Sequence, residues 1–542
     1  MRFPFLRSLL LVWFSIGVIA GFSGCAKRET PVELGNRNGT LHRSNGYEVN
    51  ELDPHIVTGL AESKVLAALF EGLVAVNPEG GDVLPGVAER WSVSDDGLTY
   101  TFFLRANARW SNGVPVTAED FVRSWQRILT PGLAADNAPW FYVIHGAEAF
   151  HKGTTNDFST VSVTASDART LRVLLNHPVP YFLSLITNMA WRPVPLATIA
   201  ATGDPYRRGN NWTRPERIVT NGPFTLKEWS ANRRIVVEKS PTYWDAATVR
   251  LNAIHFYPFD NKDAEERAFR SGQLHVTDVV PFAKVTSYLR DQPEVLRNDP
   301  TLGTYFYRIN TRRPALGDVR VRRALALAVD REAIVTSILR GGQPIATTFT
   351  PPGTAGYELP PGLKTDFVAA RALLKEAGYE GGRGFPPIEL LMDGSQNHRI
   401  IAETVQEMWR RELGIELRLV NQDLKSTYAA RRVGDFQLLR SDWIGDFLDP
   451  VTFLGVWTSD SGNNYTGWGN ATYDALLRRA ALLTDNTQRH ALFREAEQIL
   501  LDEVPLIPIY HTNHIYLLKT SVKNWRPTQL EEMNYKYVWL EE

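Results

Sequence analysis

The chain has 542 residues, too many for one hydrophobic core, so we expect two or three domains. Its apolar fraction of 44% and charged fraction of 22% are those of an ordinary folded protein. A formal net charge of -1 argues against a nucleic-acid partner, which requires a basic surface patch. The 15 Trp residues indicate either a large aromatic core or a surface that binds varied ligands.

The N-terminus has the features of an export signal. Two arginines flank the start of an apolar run, Leu9 to Phe22, that is too short to span a bilayer. Cys25, the only cysteine, follows a small residue at the end of this run and resembles the lipidated cysteine of a bacterial lipobox. We predict a signal peptide over residues 1–24 and a lipid anchor at Cys25 on a bacterial membrane, with the protein periplasmic or on the cell surface. The alternative is a soluble secreted protein that is cut nearby.

The first half of the chain contains features of ordinary folded structure. Residues 25–45 are polar and are predicted to form a flexible tether. Glu62–Phe70 has helical periodicity, and Thr99–Leu104 alternates apolar residues on one face of a strand. Thr117, followed three residues later by Asp120, forms a capping box that begins a helix. These features explain stability rather than chemistry.

The second half changes to alternating strands and helices. Ile388–Met392 and Ile415–Val420 are predicted strands, separated by a predicted helix over Arg399–Leu413. A further helix leads to a strand that begins at Phe436. This alternation and spacing predict a parallel α/β unit.

The stretch Phe436–Pro450, FQLLRSDWIGDFLDP, contains the main candidate site. Its first four residues are apolar and predict a buried strand, and the next residues predict a loop with charged and aromatic side chains. These side chains are Arg440, Asp442, Trp443, Asp446 and Asp449. Loops after parallel strands lie over the edge of the sheet where ligands usually bind. A carboxylate beside Trp and Arg suits a small charged, partly apolar ligand; the alternative is a solvated acidic loop with Trp443 filling the core.

One long run carries a resemblance to a known family. LRANARWSNGVPVTAEDFVRSWQRI, from Leu104 to Ile128, resembles a signature region of the extracytoplasmic solute-binding proteins that serve peptide ABC importers. Further motifs of that family follow in the same order over nearly the whole chain, and the resemblance is strongest to the members that bind oligopeptides. These motifs are LDPH (Leu52–His55), LFEGL (Leu69–Leu73), HPVPYF (His177–Phe182), RPVP (Arg192–Pro195), IVTNGPF (Ile218–Phe224), PTYWD (Pro241–Asp245), DVRVRRALALAVDR (Asp318–Arg331), FTPP (Phe349–Pro352) and the stretch Trp443–Pro450.

The resemblance implies an α/β fold of the large three-domain, two-lobed type, with a ligand cleft between the lobes. Two crossings near residues 303–310 and 512–517 are expected to form the hinge. The implied domains are domain I (46–70, 196–302 and 517–542), domain II (71–195) and domain III, the second lobe (303–516).

The resemblance also implies a function. The protein is expected to be the substrate-binding component of an ABC importer that captures oligopeptides in extended form. Hinge closure is expected to bury the peptide, which the protein delivers to permease subunits with their ATPases. A monomer without a cofactor is expected. The alternatives are a binding protein for a non-standard peptide, such as a cell-wall peptide, and a peptide-sensing receptor that does not transport.

The site residues come from the same resemblance, position by position. Asp446 is expected to hold the α-ammonium of the peptide, and Trp443 to line a side-chain pocket. Arg431, Arg440 and His398 occupy positions where the family places basic groups that meet peptide carboxylates. The alternative for Arg431 is a solvated helix face, and for His398 a position at a helix N-terminus with no ligand role.

Three positions depart from the pattern of the oligopeptide-binding members. Thr58 and Arg308 replace Glu, and Phe306 replaces Tyr. The loss of two acidic groups and the gain of one basic group predict a pocket that prefers acidic to cationic side chains. The alternative is that Arg308 pairs with a structural carboxylate.

An enzyme is the rival class. The sequence contains no G-x-S-x-G, H-E-x-x-H, P-loop or Cys/His metal spacing, so we predict a binding protein rather than an enzyme. Asp442, Asp446 and Asp449 offer a hard-cation site as an alternative. Because the resemblance assigns Asp446 to a ligand ammonium, no metal is predicted.

Overall fold

A computed structural model describes residues 29–79 and 81–542. The predicted signal peptide and the predicted lipidation site at Cys25 lie outside these residues. Within the described ranges, no helix combines the length and the apolar character that a membrane crossing requires.

The secondary structure is mixed along the whole described chain. The strands are β1 (Thr40–Gly46), β2 (Val74–Ala75), β3 (Leu84–Pro85), β4 (Ala88–Val93), β5 (Thr99–Leu104), β6 (Val163–Asp167), β7 (Thr170–Leu174), β8 (Phe224–Ser230), β9 (Arg234–Lys239), β10 (Ala253–Pro258), β11 (Leu296–Ile309), β12 (Ile388–Asp393), β13 (Leu417–Gln422), β14 (Leu438–Ile444), β15 (Leu506–Leu517), β16 (Val522–Lys523) and β17 (Trp539–Leu540). The α-helices are α1 (Pro31–Asn38), α2 (Leu60–Leu69), α3 (Ala118–Leu129), α4 (Ala147–His151), α5 (Phe182–Leu185), α6 (Leu196–Ala200), α7 (Lys262–Arg270), α8 (Phe282–Asp291), α9 (Val319–Leu327), α10 (Arg331–Ala333), α11 (Phe367–Glu376), α12 (Gln396–Leu413), α13 (Leu424–Val433), α14 (Val451–Leu454), α15 (Ala471–Ala481) and α16 (Asn486–Glu503).

Two four-stranded sheets belong to the first lobe. One has the order β1-β10-β9-β8, in which β1 runs parallel to β10 and the other pairs are antiparallel. The other has the order β4-β5-β7-β6 and is antiparallel throughout. A single hydrophobic core joins the two sheets, from Leu41 through Phe102 to Tyr535. They therefore form one body.

The local predictions for the second sheet are confirmed. Tyr100, Phe102 and Leu104 on β5 are buried on one face, as their alternation predicted. The capping box at the start of α3 is present, with the Thr117 N–H donating to Asp120 Oδ2 at 2.7 Å.

The tether predicted for residues 25–45 is wrong where the structure describes it. Helix α1 begins with a capping box, in which the Thr30 N–H donates to Glu33 Oε2 at 2.7 Å. Strand β1 follows, and all of its residues are buried. Its polar composition predicts exposure, but pairing with β10 buries the strand and its polar atoms bond internally, as His42 Nδ1 does with the Tyr257 hydroxyl at 2.9 Å.

The second lobe is built on a five-stranded sheet with the order β13-β12-β14-β11-β15. β12 runs parallel to both β13 and β14, which confirms the predicted parallel α/β unit. β11 is antiparallel to both of its neighbours. The helix predicted over Arg399–Leu413 is present as α12 and ends at Gly414, whose φ of 68° is in the left-handed region that favours glycine.

The two long strands β11 and β15 run from one lobe into the other. Leu296 and Leu517 belong to a core of the first lobe, whereas Ile309 and Ile507 belong to a core of the second. The pairing of the two strands is interrupted between Pro300 and Thr304. Both strands change lobes around this irregularity, which makes it the natural hinge. The predicted domain boundaries stay a prediction.

The prediction for the stretch from Phe436 is wrong at both ends of the strand. The strand was expected to end before Arg440, but β14 begins at Leu438 and continues to Ile444. Arg440, Asp442 and Trp443 therefore lie on a strand, and the loop begins at Gly445. The strand continues through these polar residues because β14 stays paired with β11 as far as Ile444.

Candidate functional site

A cavity of about 460 Å³ lies between the lobes. Lys64 and Arg192 contribute to its wall from the first lobe, and Ile444 and Asp446 contribute from the second. An adjoining cavity of about 640 Å³ shares Glu532 with it. Together they form an interlobe cleft.

Asp446 carries a carboxylate without a partner into this cleft. Its backbone N–H donates to Thr452 Oγ1 at 3.0 Å, but its carboxylate has no hydrogen bond or ion pair with any residue that the structure describes. The side chain is open to the cavity, yet the surrounding protein removes part of its hydration, and this burial raises the pKa of Asp446 above its ordinary value. A carboxylate in this setting is suited to a cation such as an ammonium.

Gly445 allows the Asp446 loop to lie close to β11. Its N–H donates to the Leu302 carbonyl oxygen at 2.7 Å. A Cβ atom at this position would lie 2.6 Å from Leu302 Cδ2, so a larger residue would push the loop away from the strand. The glycine therefore helps to set where the Asp446 carboxylate lies.

Trp443 holds the same loop from inside the second lobe. It is half-buried, packs against a core that includes Phe453, and donates from Nε1 to the Thr452 carbonyl oxygen at 2.7 Å. Thr452 thus binds both the Trp443 indole and the Asp446 backbone. The role of Trp443 in a ligand pocket stays a prediction, and its observed contacts position the loop.

The cations in the first-lobe wall of the cleft already have partners. Lys64 forms an ion pair with Asp278. Arg192 donates from Nη1 to the Leu66 carbonyl oxygen at 2.8 Å. Burial lowers the pKa of Arg192, an effect that the nearby Glu532 opposes. The Asp446 carboxylate therefore faces the cleft without a cation of its own.

Strand β14 offers an open edge to the cleft. On one side it pairs with β11 along its whole length, from Leu438 to Ile444. On the other side it pairs with β12 only at Leu438 and Leu439. Residues 440–444 therefore have one edge without a strand partner among the described residues. Such an edge is a template for main-chain hydrogen bonds with an extended chain.

Arg440 and His398 come together around one carboxylate. Arg440 forms ion pairs with Asp393 (3.3 Å) and Asp442 (3.1 Å), and its guanidinium lies over the Tyr305 ring. His398 Nδ1 lies 2.9 Å from Asp393 Oδ1. Burial and the charge of Arg440 lower the pKa of His398, so its imidazole is neutral at pH 7. These two basic residues, expected to meet a peptide carboxylate, already have carboxylate neighbours.

Phe306 and Arg308 lie inside the second lobe rather than on the cleft surface. Phe306 is 0% exposed and packs edge-on against Trp457 at 5.9 Å. Arg308 is 1% exposed and donates to the carbonyl oxygens of Asn463 and Asn464, each at 3.0 Å. The alternative in which Arg308 pairs with a structural carboxylate is wrong for the described residues, since no such ion pair is present.

Arg431 lies beside Arg308 and makes no hydrogen bond to any described residue. Its guanidinium lies over the rings of Tyr428 (4.6 Å) and Tyr465 (4.9 Å), and its Nε is buried without an acceptor. Arg308 lies over the same Tyr465 ring at 5.7 Å. Burial, together with repulsion from Arg431, lowers the pKa of Arg308 to about 9. Two cations thus flank one ring without a carboxylate between them.

Asp449 does not join Asp442 and Asp446 in a cation site. It is buried and accepts two hydrogen bonds from Arg489, at 3.0 and 3.1 Å. Nowhere in the described ranges do three or more His, Cys, Asp or Glu side chains form a group that could hold a metal ion.

Sequence reasoning missed Asp393 and Thr452. Asp393 ends β12 at the carboxyl edge of a parallel strand, and this position alone could have marked it as a candidate. Thr452 has no such sequence feature. Its contacts depend on the return of the loop over Trp443.

Two α/β lobes, joined by two long strands and separated by a cleft with an unpaired carboxylate, define a two-lobed ligand-binding protein. A family model described as "Bacterial extracellular solute-binding proteins, family 5 Middle" matches residues 82–465. The chain belongs to this family, as its motifs predicted.

Relatives extend the similarity over almost the whole chain. The chain is 37% identical to the periplasmic oligopeptide-binding protein OppA of Escherichia coli, over 90% of this chain and 89% of that protein. It is 38% identical to the probable deoxycholate-binding periplasmic protein YgiS of Escherichia coli, over 88% of this chain and 89% of that protein. The unliganded open form of the periplasmic murein tripeptide-binding protein MppA is similar in structure. The TM-score is 0.84 at 34% identity, covering 93% of this chain and 97% of that one.

Proposed function

We propose that the protein is the substrate-binding component of an ABC importer and captures oligopeptides in extended form between its lobes. The observation that carries this proposal is the unpaired Asp446 carboxylate, two residues beyond the open edge of β14. A peptide that binds there places its α-ammonium at Asp446 and its main chain along the edge. Both interactions use groups that every peptide with a free N-terminus possesses.

The remaining predicted residues take supporting roles in this proposal. Trp443 positions the Asp446 loop, and Arg431 receives an anionic group of the peptide. Arg308 adds positive charge behind Arg431, and the Phe306 ring packs against the Arg308 guanidinium. Arg440 and His398 receive the far end of the peptide only where that end displaces their present carboxylate neighbours.

The relatives support a peptide ligand but differ in the ligand that their names give. OppA is named for oligopeptides, MppA for a murein tripeptide and YgiS, as probable, for deoxycholate. A bile acid carries a carboxylate and no ammonium, so the unpaired Asp446 would repel it. A cell-wall peptide, which has a free ammonium, is the alternative ligand within this proposal. A receptor that senses peptides without transport is the alternative role.

The cellular setting is part of the proposal. We place the protein on the periplasmic or cell-surface side of a bacterial membrane, anchored through lipid at Cys25. It works as a monomer without a cofactor, delivers its ligand to permease subunits with their ATPases, and catalyses no reaction. A Cys25→Ser variant that remains in the membrane fraction would contradict the anchor.

Native mass spectrometry of protein purified from the full-length sequence tests the ligand. We expect a heterogeneous set of co-purified short peptides that is lost in Asp446→Asn. Asp435→Asn is the matched control, because Asp435 lies in the same lobe and pairs with Arg313 at 3.1 Å. A single non-peptide adduct, or peptides that the Asp446→Asn variant retains in full, would overturn the proposal.

A further inference from the structure

Strand β14 separates two groups of charged residues of opposite sign. In the antiparallel pairing with β11, Tyr305 lies opposite Asp442 and Tyr307 lies opposite Arg440. Directly paired residues lie on the same face of a sheet, and alternate residues of a strand lie on the same face. Arg440 and Asp442 therefore share one face. Arg308 shares the opposite face with Ser441, to whose Oγ its Nε donates at 3.2 Å.

The face that carries Asp442 is net negative. One guanidinium, Arg440, lies between two carboxylates, Asp393 and Asp442, and the His398 imidazole is neutral at pH 7. Burial would raise the pKa of Asp393, but a hydrogen bond from His398 and the charge of Arg440 lower it, so the carboxylate is ionised. The Asp442 side chain is 52% exposed, so a ligand can reach it.

Asp442 lies on the same face of β14 as a residue that lines the cleft. Ile444, two residues further along, lines the interlobe cavity and is 56% exposed. Because β14 pairs with β11 in unbroken register over these residues, Asp442 and Ile444 project from the same face. Asp446 follows Asp442 by four residues, two of them beyond the end of β14, so their Cα atoms are at most about 13 Å apart, which is within the length of a short extended peptide.

The opposite face is net positive. Arg431 and Arg308 flank the Tyr465 ring, and Arg431 has neither a hydrogen bond nor an ion pair with the described residues. Arg308 is 1% exposed and satisfied by neutral oxygens only. A buried cation without a counter-charge has an unfavourable desolvation free energy. This face is therefore suited to a carboxylate from a ligand.

We propose that the cleft selects peptides in which a basic and an acidic residue are adjacent. The basic side chain meets Asp442, and the acidic side chain meets Arg431 with Arg308 behind it. Adjacent residues of an extended chain project to opposite faces, so a peptide along the β14 edge presents one side chain to each. This inference rests on the proposed function and sharpens it. It differs from the sequence-based prediction of a preference for acidic over cationic side chains, because only the Arg308 face is basic.

Calorimetric titration with four tetrapeptides tests the inference. Ala-Lys-Glu-Ala and Ala-Glu-Lys-Ala have the same composition and net charge, so a difference between them reports the position of each charge. Ala-Norleucine-Gln-Ala and Ala-Gln-Norleucine-Ala are their neutral counterparts. We expect one charged order to bind at least about tenfold more tightly than the other and than its neutral counterpart, with the preference reduced at high salt.

Variants assign the preference to the two faces. Asp442→Asn should lower the affinity for the preferred charged peptide to near that of its neutral counterpart, and should leave the neutral peptide unchanged. Arg431→Gln should lower the affinity for the preferred charged peptide by a larger factor than the affinity for its neutral counterpart, because the acidic side chain loses its cation. Asp435→Asn, whose side chain is 81% exposed and paired with Arg313, should change neither affinity.

The outcomes separate this inference from the proposed function. Neutral peptides that bind as well as both charged orders would overturn the charge selection and leave peptide capture standing. A loss of affinity in Asp442→Asn that is equal for charged and neutral peptides would also overturn it, because it would show a general defect. Failure of all four peptides to bind a protein with an intact circular dichroism spectrum would overturn the proposed function itself.

Discussion

Asp446 and Asp449 lie three residues apart in one loop, yet they occupy opposite physical situations. The Asp446 carboxylate is open to the interlobe cavity and has no partner among the described residues. The Asp449 carboxylate is buried and held by both terminal nitrogens of Arg489, which is itself 1% exposed. The first carboxylate is available to a ligand, and the second is committed to the fold.

This difference teaches how to separate binding residues from structural ones of the same type. A buried ion pair has satisfied its charges within the chain, and losing one partner leaves the other charge buried without compensation. An unpaired carboxylate in a cleft lowers the free energy of unfolding slightly until a ligand cation binds to it. Substitution of Asp449 should therefore affect folding, whereas substitution of Asp446 should affect binding.

The largest effect is expected from Asp449→Ala. Among the described residues, the Arg489 guanidinium would keep its hydrogen bond to Asn486 (2.8 Å) and lose its carboxylate partner, so the free energy of unfolding of the second lobe should fall by about 3–5 kcal/mol. Urea denaturation measures the change. Glu403→Ala, which removes an exposed pair with Arg399, is the control and should cost at most about 0.5 kcal/mol. A loss for Asp449→Ala as small as the control would show that the buried pair is not structural.

Asp446→Asn should leave stability nearly unchanged and should weaken peptide binding by about 2–5 kcal/mol, because the peptide ammonium loses its counter-charge. Titration calorimetry with a neutral-side-chain peptide measures the change. Asp446→Glu keeps the charge and should recover part of the affinity. Equal affinity in wild type and Asp446→Asn would remove the distinction drawn between the two aspartates.

The pH dependence of binding should follow the Asp446 carboxylate. Its pKa is raised by burial above the ordinary 3.8, so protonation begins at a higher pH than for an exposed aspartate. Affinity for a peptide ammonium should fall by up to about tenfold per pH unit below that pKa. The Asp446→Asn variant should lack this dependence. A wild-type curve parallel to that of the variant would contradict the assignment.

The raised pKa of Asp446 has the opposite effect on the stability of the ligand-free protein: lower pH weakens ligand binding but stabilises the fold. Because the folded pKa lies above the unfolded value, the folded state binds more protons between these two pKa values. The stability of wild type relative to Asp446→Asn should therefore increase as pH falls through this window. Paired urea denaturation curves of the two proteins measure it.

The smallest effect is expected from Trp443→Phe. This change removes the hydrogen bond from Nε1 to the Thr452 carbonyl oxygen, and the free energy of unfolding should fall by about 0.5–1.5 kcal/mol. Peptide affinity should fall by a similar or smaller amount, because the loop that carries Asp446 becomes less fixed. Thr452→Ser keeps the carbonyl and the hydroxyl, and serves as the control. A loss of affinity as large as that of Asp446→Asn would indicate direct ligand contact by Trp443.

Short-range patterns predicted much of the fold correctly. The alternation of β5, the capping box at Thr117 and the left-handed glycine after α12 each depend on residues within one or two turns. The spacing of strands and helices after residue 388 predicted the parallel unit in the same way. Family motifs supplied the two-lobed arrangement, which no local pattern contains.

Long-range contacts decided what the local patterns could not. Strand β1 has the composition of a tether, yet β10, more than 200 residues away, pairs with it and buries it. The prediction for the end of β14 is wrong because its polar residues pair with β11, which is more than 100 residues away along the chain. Arg308 was expected at the cleft, and the packing of Phe306 and Trp457 around it placed it in the interior.

The sequence by itself determined the family, the order of the elements and the presence of acidic residues near the end of β14. Only the tertiary structure decided which of those residues is free. Asp449 is paired because Arg489 on α16 reaches it, and Asp446 is unpaired because no described cation does. The reason is physical. Capping and periodicity depend on neighbours along the chain, whereas the state of a carboxylate depends on which charges folding brings within a few ångströms.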